Sequence, residues 1–290
     1  MKKYFSESLT IVAAPFFIIY VLYYFSMFFR FWKRKKVGLV LGGGVARGIA
    51  HIGILKVLHS YKVPIDFIVG TSSGSLVGVG YAAGMDVSLI EEIALHIRWQ
   101  DLLKFTFFRP GFVSGEAIEN FVIKYLGDKN FSDLKIPFAA VATDLRSGEA
   151  VIISEGKVAK AVAASSAFPG VFAPEEVEGR FLVDGGVASN VAVAAARKMG
   201  ADYVIACDVI PEKIVQIPRD PLQTLGRCLD LILKKLSKAE ASLAEVLITL
   251  ETSEDIWHLD LHKAKKLIAA GEVAAHRVIN KIKRDLRINT

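Results

Sequence analysis

Apolar positions along the chain fall into two regimes. Residues 8–29 are 22 consecutive uncharged positions, which as a helix would extend about 33 Å at ~1.5 Å per residue. That length matches a hydrocarbon core of about 30 Å. From Val37 onward the pattern changes to short apolar runs, each followed by a longer stretch with helical spacing of its apolar residues. The short runs predict strands at 37–41, 64–70, 138–143, 150–154, 181–183, 203–208 and 246–250, and the longer stretches predict helices at 49–58, 73–83, 114–126, 158–165, 192–199 and 261–285. Leu222, Leu225, Leu229, Ile232 and Leu236 form one further helical face with Lys234 and Lys235 beside it, suited to a core or to a membrane surface. Strands that alternate with helices predict an α/β fold whose central sheet is mostly parallel and covered on both faces. Such sheets carry their chemistry at the carboxyl ends of the strands.

Composition and charge sharpen the division. Hydrophobic residues make up 52% of the 290 and the mean hydropathy is +0.40, which excludes a disordered chain. Residues 1–36 hold seven basic residues and one acid, so the remaining 29 bases balance 29 acids. The net charge of +6 therefore belongs to the N-terminal segment, and no basic face is left for a nucleic acid. The apolar run is followed by Arg30, Phe31, Trp32 and the cluster Lys33-Arg34-Lys35-Lys36, an aromatic anchor beside a basic flank. The segment reads as a single-pass transmembrane helix at the cell membrane, and the positive flank places the rest in the cytoplasm. An interfacial helix kinked at Pro15 is the alternative. Beyond residue 36 no linker or repeat interrupts the chain, so the expected organisation is a membrane anchor, 1–36, and one domain, 37–290. Cys207 and Cys228 have no zinc spacing and no disulfide framework.

Three constellations carry candidate chemistry. Gly70-Thr71-Ser72-Ser73-Gly74 is a Gly-x-Ser-x-Gly pattern between a predicted strand and a predicted helix, the setting of a strained turn that exposes a nucleophilic serine. Ser72 could equally serve as an ordinary helix N-cap. Gly42-Gly43-Gly44-Val45-Ala46-Arg47-Gly48 joins the first strand to the first helix, and its backbone N–H groups can converge on a phosphate or an oxyanion. A dinucleotide site does not fit. Arg47 stands where the third glycine of that fingerprint belongs, and the candidate acid Asp66 precedes a strand instead of ending one. Asp184-Gly185-Gly186 ends a predicted strand with an aspartate placed to accept a proton, or with a simple Asx turn.

Taken in this order, the three constellations resemble the patatin-like phospholipases, in particular bacterial membrane-associated members. The resemblance also covers Ile136-Pro-Phe-Ala-Ala-Val-Ala-Thr-Asp-Leu145, Ala164-Ser-Ser-Ala-Phe-Pro-Gly-Val-Phe172 and Leu267-Ile-Ala-Ala-Gly271. It implies a three-layer patatin-like domain in which Ser72 is the nucleophile and Asp184 its base. The amides of Gly43, Gly44 and Val45 would form the oxyanion hole, with Gly42, Arg47, Gly48, Gly70, Gly74, Gly185 and Gly186 supporting the motifs. Arg47 would order its loop or meet substrate phosphate. Where the family often has Asn-Pro-Val-Pro, this chain has Ser189-Asn190-Val191-Ala192. The implied partners are the lipid bilayer and a membrane phospholipid or lysophospholipid, with no cofactor and no metal.

Two rivals differ in testable ways. A histidine-dependent carboxylesterase or thioesterase would use His258 or His262, which follow Ser72 and Asp184 in the order of an α/β-hydrolase. A catalytically idle membrane lipid-binding protein would keep the fold without needing the serine, the aspartate and the glycine loop together.

Overall fold

A computed structural model of the protein describes residues 34–102, 113–214 and 217–288. The chain divides after Lys35 into two units. The predicted transmembrane helix lies outside the described residues, as does the rest of the predicted anchor apart from Arg34, Lys35 and Lys36. Among the described residues no helix is long and apolar enough to cross a membrane.

Eight strands form one sheet: β1 Val37–Leu41, β2 Phe67–Thr71, β3 Phe138–Asp144, β4 Ala150–Ile153, β5 Glu175–Val177, β6 Arg180–Asp184, β7 Tyr203–Asp208 and β8 Val246–Thr249. Their order is β5-β6-β3-β2-β1-β7-β8, with β4 also paired to β3. The five strands from β3 to β8 along this order pair in parallel, whereas β4, β5 and β6 pair antiparallel. The α/β sheet is thus mixed and mostly parallel.

Side-chain alternation on buried strands separates two cores. Val37, Leu39 and Leu41 of β1, Ile68 of β2 and Ile205 of β7 face one cluster, while Val40, Val69 and Val204 face the other. The first side is covered by α1 Ala50–Ser60, α2 Ser73–Ala82, α3 Val87–His96, α4 Glu116–Leu126, α5 Val158–Ser165 and the long C-terminal helix. On the second side lies α6 Val193–Lys198, followed in sequence by α7 Pro221–Ala241; the C-terminal helix is α8 Ala264–Leu286. Strand β5 is only three residues long, too short to show a period in sequence. Helix α3 had a readable start: Asp86 accepts from the Ser88 N–H at 2.8 Å, and Val87, Ile90 and Ala94 are its buried stripe.

The register of β3 brings two strand ends together. Val141 pairs with both Thr71 of β2 and Ile152 of β4, and Ala142 pairs with both Val151 of β4 and Asp184 of β6. A strand has two edges, so β2 and β6 share the edge opposite β4 and meet nearly end to end. Ser72 follows the last residue of β2, and Asp184 is the last residue of β6.

Candidate active site

Ser72 sits on a sharp elbow between β2 and α2, at φ +54° and ψ −125°, a conformation that L-residues rarely adopt. It holds the N-cap position of α2, yet its side chain caps nothing, which removes the bland reading of the serine. Neighbouring glycines make the turn possible. A Cβ on Gly70 would collide with the backbone of Ser75, and one on Gly74 with the Leu41 carbonyl. The Ser72 N–H donates to Ser165 Oγ at 2.9 Å, and Ser165 in turn donates to the Val141 carbonyl at 2.7 Å. Backbone strain of this kind persists where surrounding structure enforces it.

Asp184 is 4% exposed. Its Oδ1 accepts from the Gly186 N–H at 2.8 Å, while Oδ2 is buried without a hydrogen-bond partner. Burial pushes the carboxyl pKa up to about 6, against the opposing influence of the nearby Ser72 hydroxyl and the Gly186 N–H. Gly185 packs so closely on the Val141 carbonyl that a Cβ there would strike it. One carboxylate oxygen is therefore fixed by backbone and the other is left available beside the serine.

The glycine loop completes the same small cavity, about 20 Å³, whose walls include Gly43, Gly44, Val45, Ser72, Asp184 and Asn190. The Gly43 N–H donates to Asn190 Oδ1 at 3.1 Å and the Gly44 N–H to Ser73 Oγ at 3.0 Å. Two of the three candidate oxyanion donors, Gly43 and Gly44, thus already serve neutral acceptors. Val45 has φ +53°, an outlier for a β-branched residue. Gly42 donates to the Cys207 carbonyl at 3.0 Å, and its own carbonyl lies 2.7 Å from His51 Nε2. His51 is fully buried, which lowers its pKa to about 4, so it is neutral and donates from Nε2. Gly48 packs directly against the Ser73 side chain.

Arg47 is buried and is not in the walls of this cavity, although its partners Asp230 and His258 are. It is 2% exposed, donates through Nε to the Ile256 carbonyl at 3.1 Å and forms an ion pair with Asp230 at 2.9 Å. Of its two sequence-based roles, the geometry fits ordering of the loop and not contact with a substrate phosphate. His258 donates from Nε2 to Asp230 Oδ1 at 2.9 Å, and its Nδ1 lies 3.3 Å from Arg47 Nη2. The same Arg47 Nη2 lies 3.1 Å from Nε2. His258 does line the cavity that contains Ser72, with its Nε2 committed to Asp230.

The patatin-like phospholipase family model matches residues 39–197. The chain belongs to the patatin-like phospholipase family. Lysophospholipase NTE1 of Coccidioides immitis is 36% identical over 181 residues, covering 60% of this chain and 12% of that protein. Patatin-like phospholipase domain-containing protein 6 of Mus musculus is 34% identical over 195 residues, covering 64% of this chain and 14% of that one. The chain therefore spans about an eighth of the length of these curated relatives. The crystal structure of VipD from Legionella pneumophila shares the fold, with a TM-score of 0.59 at 13% identity over 86% of this chain and 67% of VipD.

Within this patatin-like domain, Ser72, Asp184 and the glycine loop line one cavity, and three further residues around it emerge that sequence reasoning had not assigned. Ser165 lay inside a segment noted for resemblance and Asn190 inside the stretch that departs from the family pattern, but their polar side chains had no visible partner in one dimension. Asp230 was hidden on an amphipathic helix as one acid among leucines. Among the described residues no group of three or more His, Cys, Asp or Glu could hold a metal ion.

Proposed function

We propose that the chain is a membrane-associated serine acyl hydrolase that cleaves fatty-acyl esters of phospholipids or lysophospholipids through a Ser72–Asp184 dyad. One observation carries the reading: the unpartnered, buried Oδ2 of an aspartate with a raised pKa, set beside a serine on a strained elbow. In this mechanism Oδ2 takes the Ser72 proton as Oγ attacks the ester carbonyl. The oxyanion settles on the amides of Gly43, Gly44 and Val45. Its collapse expels the alcohol, which receives the proton from Asp184, and water then releases the fatty acid with Asp184 again as base. A base with a pKa of about 6 is better matched to neutral pH than an ordinary aspartate.

The rest of the site supports turnover over passive lipid binding. A neutral Asn190 carbonyl on the Gly43 N–H is displaced most readily by an acceptor stronger than itself. Charge-assisted hydrogen bonds are roughly twice as strong as neutral ones, so the exchange favours the oxyanion over the ground-state carbonyl. Interactions that strengthen only in the transition state are those that raise kcat. The relatives named as lysophospholipase or phospholipase-domain proteins support an ester of a membrane lipid as substrate.

Membrane residence belongs to the same proposal. Residues 8–29 would span the bilayer from the basic flank at 30–36, leaving the domain in the cytoplasm. The exposed side of α7 adds Leu231, Ile232 and Leu236, each more than half exposed, with Lys235 and Lys238 among them, whereas the two acids of that helix turn inward: Asp230 binds Arg47 and Glu240 binds Ser189. Such a face suits an anionic lipid surface. The test is to incubate the protein with a mixed phospholipid extract and a fluorophosphonate probe, then identify products and labelled residue by mass spectrometry. Release of free fatty acid with label on Ser72 is expected. Lipid binding without release, or label elsewhere, would refute the dyad.

A further inference from the structure

A second histidine lies behind the glycine loop. His51 is the second residue of α1 and is fully buried. Its Nε2 donates to the Gly42 carbonyl at 2.7 Å, while Nδ1 is buried with no hydrogen-bond partner. A buried polar atom left unpaired costs stability. The neighbouring positions Ile52, Leu55 and Leu58 of α1 belong to the larger apolar core, where a methionine or a leucine would carry no unpaired nitrogen. The one hydrogen bond that the ring does make therefore has to account for its presence.

That bond fixes more than a carbonyl. The Gly42 C=O and the Gly43 N–H are the two ends of one trans peptide and point in opposite directions. A carbonyl held by α1 turns the N–H to the opposite side, where it donates to Asn190 Oδ1 at 3.1 Å in the walls of the cavity of Ser72 and Asp184. Neither residue 42 nor residue 43 has a Cβ to resist rotation of this peptide, and the Gly42 N–H, bonded to the Cys207 carbonyl at 3.0 Å, restrains only the peptide before it. Flipped, the unit would face the cavity with an acceptor where a donor is needed. The seat of His51 is itself firm. A Cβ on Gly271 of α8 would strike the Ala50 carbonyl, and one on Gly53 of α1 would strike the Ile268 carbonyl, so the two backbones touch on either side of His51 in the sequence. We infer that His51 is a positioning residue for the oxyanion hole, whose Nε2–H locks the Gly42–Gly43 peptide with the Gly43 N–H turned to the nucleophile.

The inference rests on the serine-hydrolase reading and deepens it. Asn190 holds the same peptide from the cavity side, but its carbonyl is the acceptor that the oxyanion displaces during attack. His51, outside the cavity walls, keeps its hold at that moment. Burial lowers the His51 pKa to about 4, so the ring is neutral near pH 7 and its role is to orient a donor, with no proton moved. Glutamine and methionine separate the two properties of the ring. Both are unbranched and of similar length, and glutamine carries an N–H donor where methionine has none.

The experiment measures kcat and KM of the full chain on a soluble nitrophenyl ester for wild type, His51→Gln, His51→Met and His51→Leu, each assayed well below its own thermal melt. In the two donor-free variants kcat and kcat/KM should fall together by about tenfold or more, with KM within about twofold, because an oxyanion contact is made only in the transition state. The ceiling is ~10²–10³-fold, the cost of deleting one such donor outright. His51→Gln should recover most of the loss, and the activity limb near pH 6 set by Asp184 should keep its position in every variant. Ring 15N resonances of the wild type, assigned by their absence from His51→Gln, check the premise without a donor-free variant: Nε2 should carry the proton. Wild-type kcat in a folded donor-free variant, a glutamine variant as slow as the methionine one, a loss confined to KM, a shifted pH limb, or a proton on Nδ1 would overturn the positioning role alone. A wild type whose ester hydrolysis is unaffected by Ser72→Ala would overturn it together with the hydrolase reading.

Discussion

The side chain of Asn190 and the backbone of Gly43 are joined twice: the Gly43 N–H donates to Oδ1 at 3.1 Å, and Nδ2 donates to the Gly43 carbonyl at 3.3 Å. This pair ties the segment after Asp184 to the glycine loop. It links the candidate base and the candidate oxyanion hole through one amide.

Asn190→Asp tests the exchange at that amide. An aspartate keeps the size but places a charged acceptor on the Gly43 N–H, and it brings a second carboxylate close to Asp184, since a Cβ on Gly186 would lie 3.1 Å from both Asn190 Oδ1 and Asp184 Oδ1. The hydrolytic rate should fall by about 10²-fold or more, the usual scale for losing an oxyanion donor. Asn190→Ala, which frees the amide but loosens the loop, should be milder. Rates measured on a soluble ester for both variants decide it; an Asp variant as active as wild type would remove Gly43 from the oxyanion hole.

Asp184 links activity to stability with opposite signs. Its folded pKa is raised from 3.8 to about 6, so folding favours the protonated form. The corresponding stability is fully present below pH 3.8 and is lost as pH rises through about 6. At neutral pH the wild type bears the whole cost of a buried carboxylate, ~3 kcal/mol at 1.36 kcal/mol per pKa unit. Asp184→Asn should therefore abolish at least ~10²-fold of the hydrolytic rate while raising the melting temperature at pH 8, with little gain at pH 4. Wild-type activity should climb between pH 5 and 7 with an apparent pKa near 6. A destabilised Asn variant at pH 8 would contradict the burial argument, and a fully active one would remove Asp184 from catalysis.

How much of this was legible beforehand follows the physics of each feature. Strands β1 and β7 are continuous apolar runs buried on both faces, so their ends could be placed from sequence alone, and helix α5 was equally plain. The nucleophile elbow was readable because Gly70, Ser72 and Gly74 are local to one turn. The meeting of Ser72 with Asp184 was not. It depends on β2 and β6 sharing one edge of β3, a relation between segments more than a hundred residues apart that no local period encodes. The resemblance supplied the pairing; the register supplies its cause. Arg47 shows the same limit, because its choice between loop ordering and phosphate contact turned on Asp230 and the Ile256 carbonyl, about two hundred residues downstream.

That buried cluster yields a separate prediction. Arg47 and Asp230 have side chains 3% and 4% exposed, and Asp230 is held below the usual carboxylate range by His258 and Arg47, against its own burial. Removing one partner of such a pair leaves an uncompensated buried charge, typically at 3–5 kcal/mol. Arg47→Met should lower the melting temperature markedly, and Arg47→Met with Asp230→Leu should recover part of the loss. His258→Gln should leave hydrolysis of a soluble ester within a few-fold of wild type. A His258→Gln enzyme as dead as Ser72→Ala would instead establish the histidine-dependent mechanism, and the pH profile could not have told the two apart, because Asp184 at about 6 titrates close to an ordinary histidine at ~6.5.

Membrane attachment divides into two contributions that can be measured apart. A spanning helix holds a protein at the bilayer almost irreversibly, whereas an interfacial apolar face binds reversibly and with lipid-dependent strength. The full chain should therefore stay in the membrane pellet through an alkaline wash, and a chain beginning at Val37 should leave it. If α7 rests on lipid, that shorter chain should still sediment with vesicles containing anionic phospholipid, less so at high salt because Lys235 and Lys238 are screened. Replacing Leu231, Ile232 and Leu236 by Glu should abolish this residual binding while sparing hydrolysis of a soluble ester, since these exposed side chains lie outside the cavity of Ser72. Salt-independent sedimentation, unchanged by the three substitutions, would exclude α7 as the contact. Orientation is read separately: protease applied to intact cells should leave the domain whole, and its digestion there would reverse the topology deduced from the basic flank.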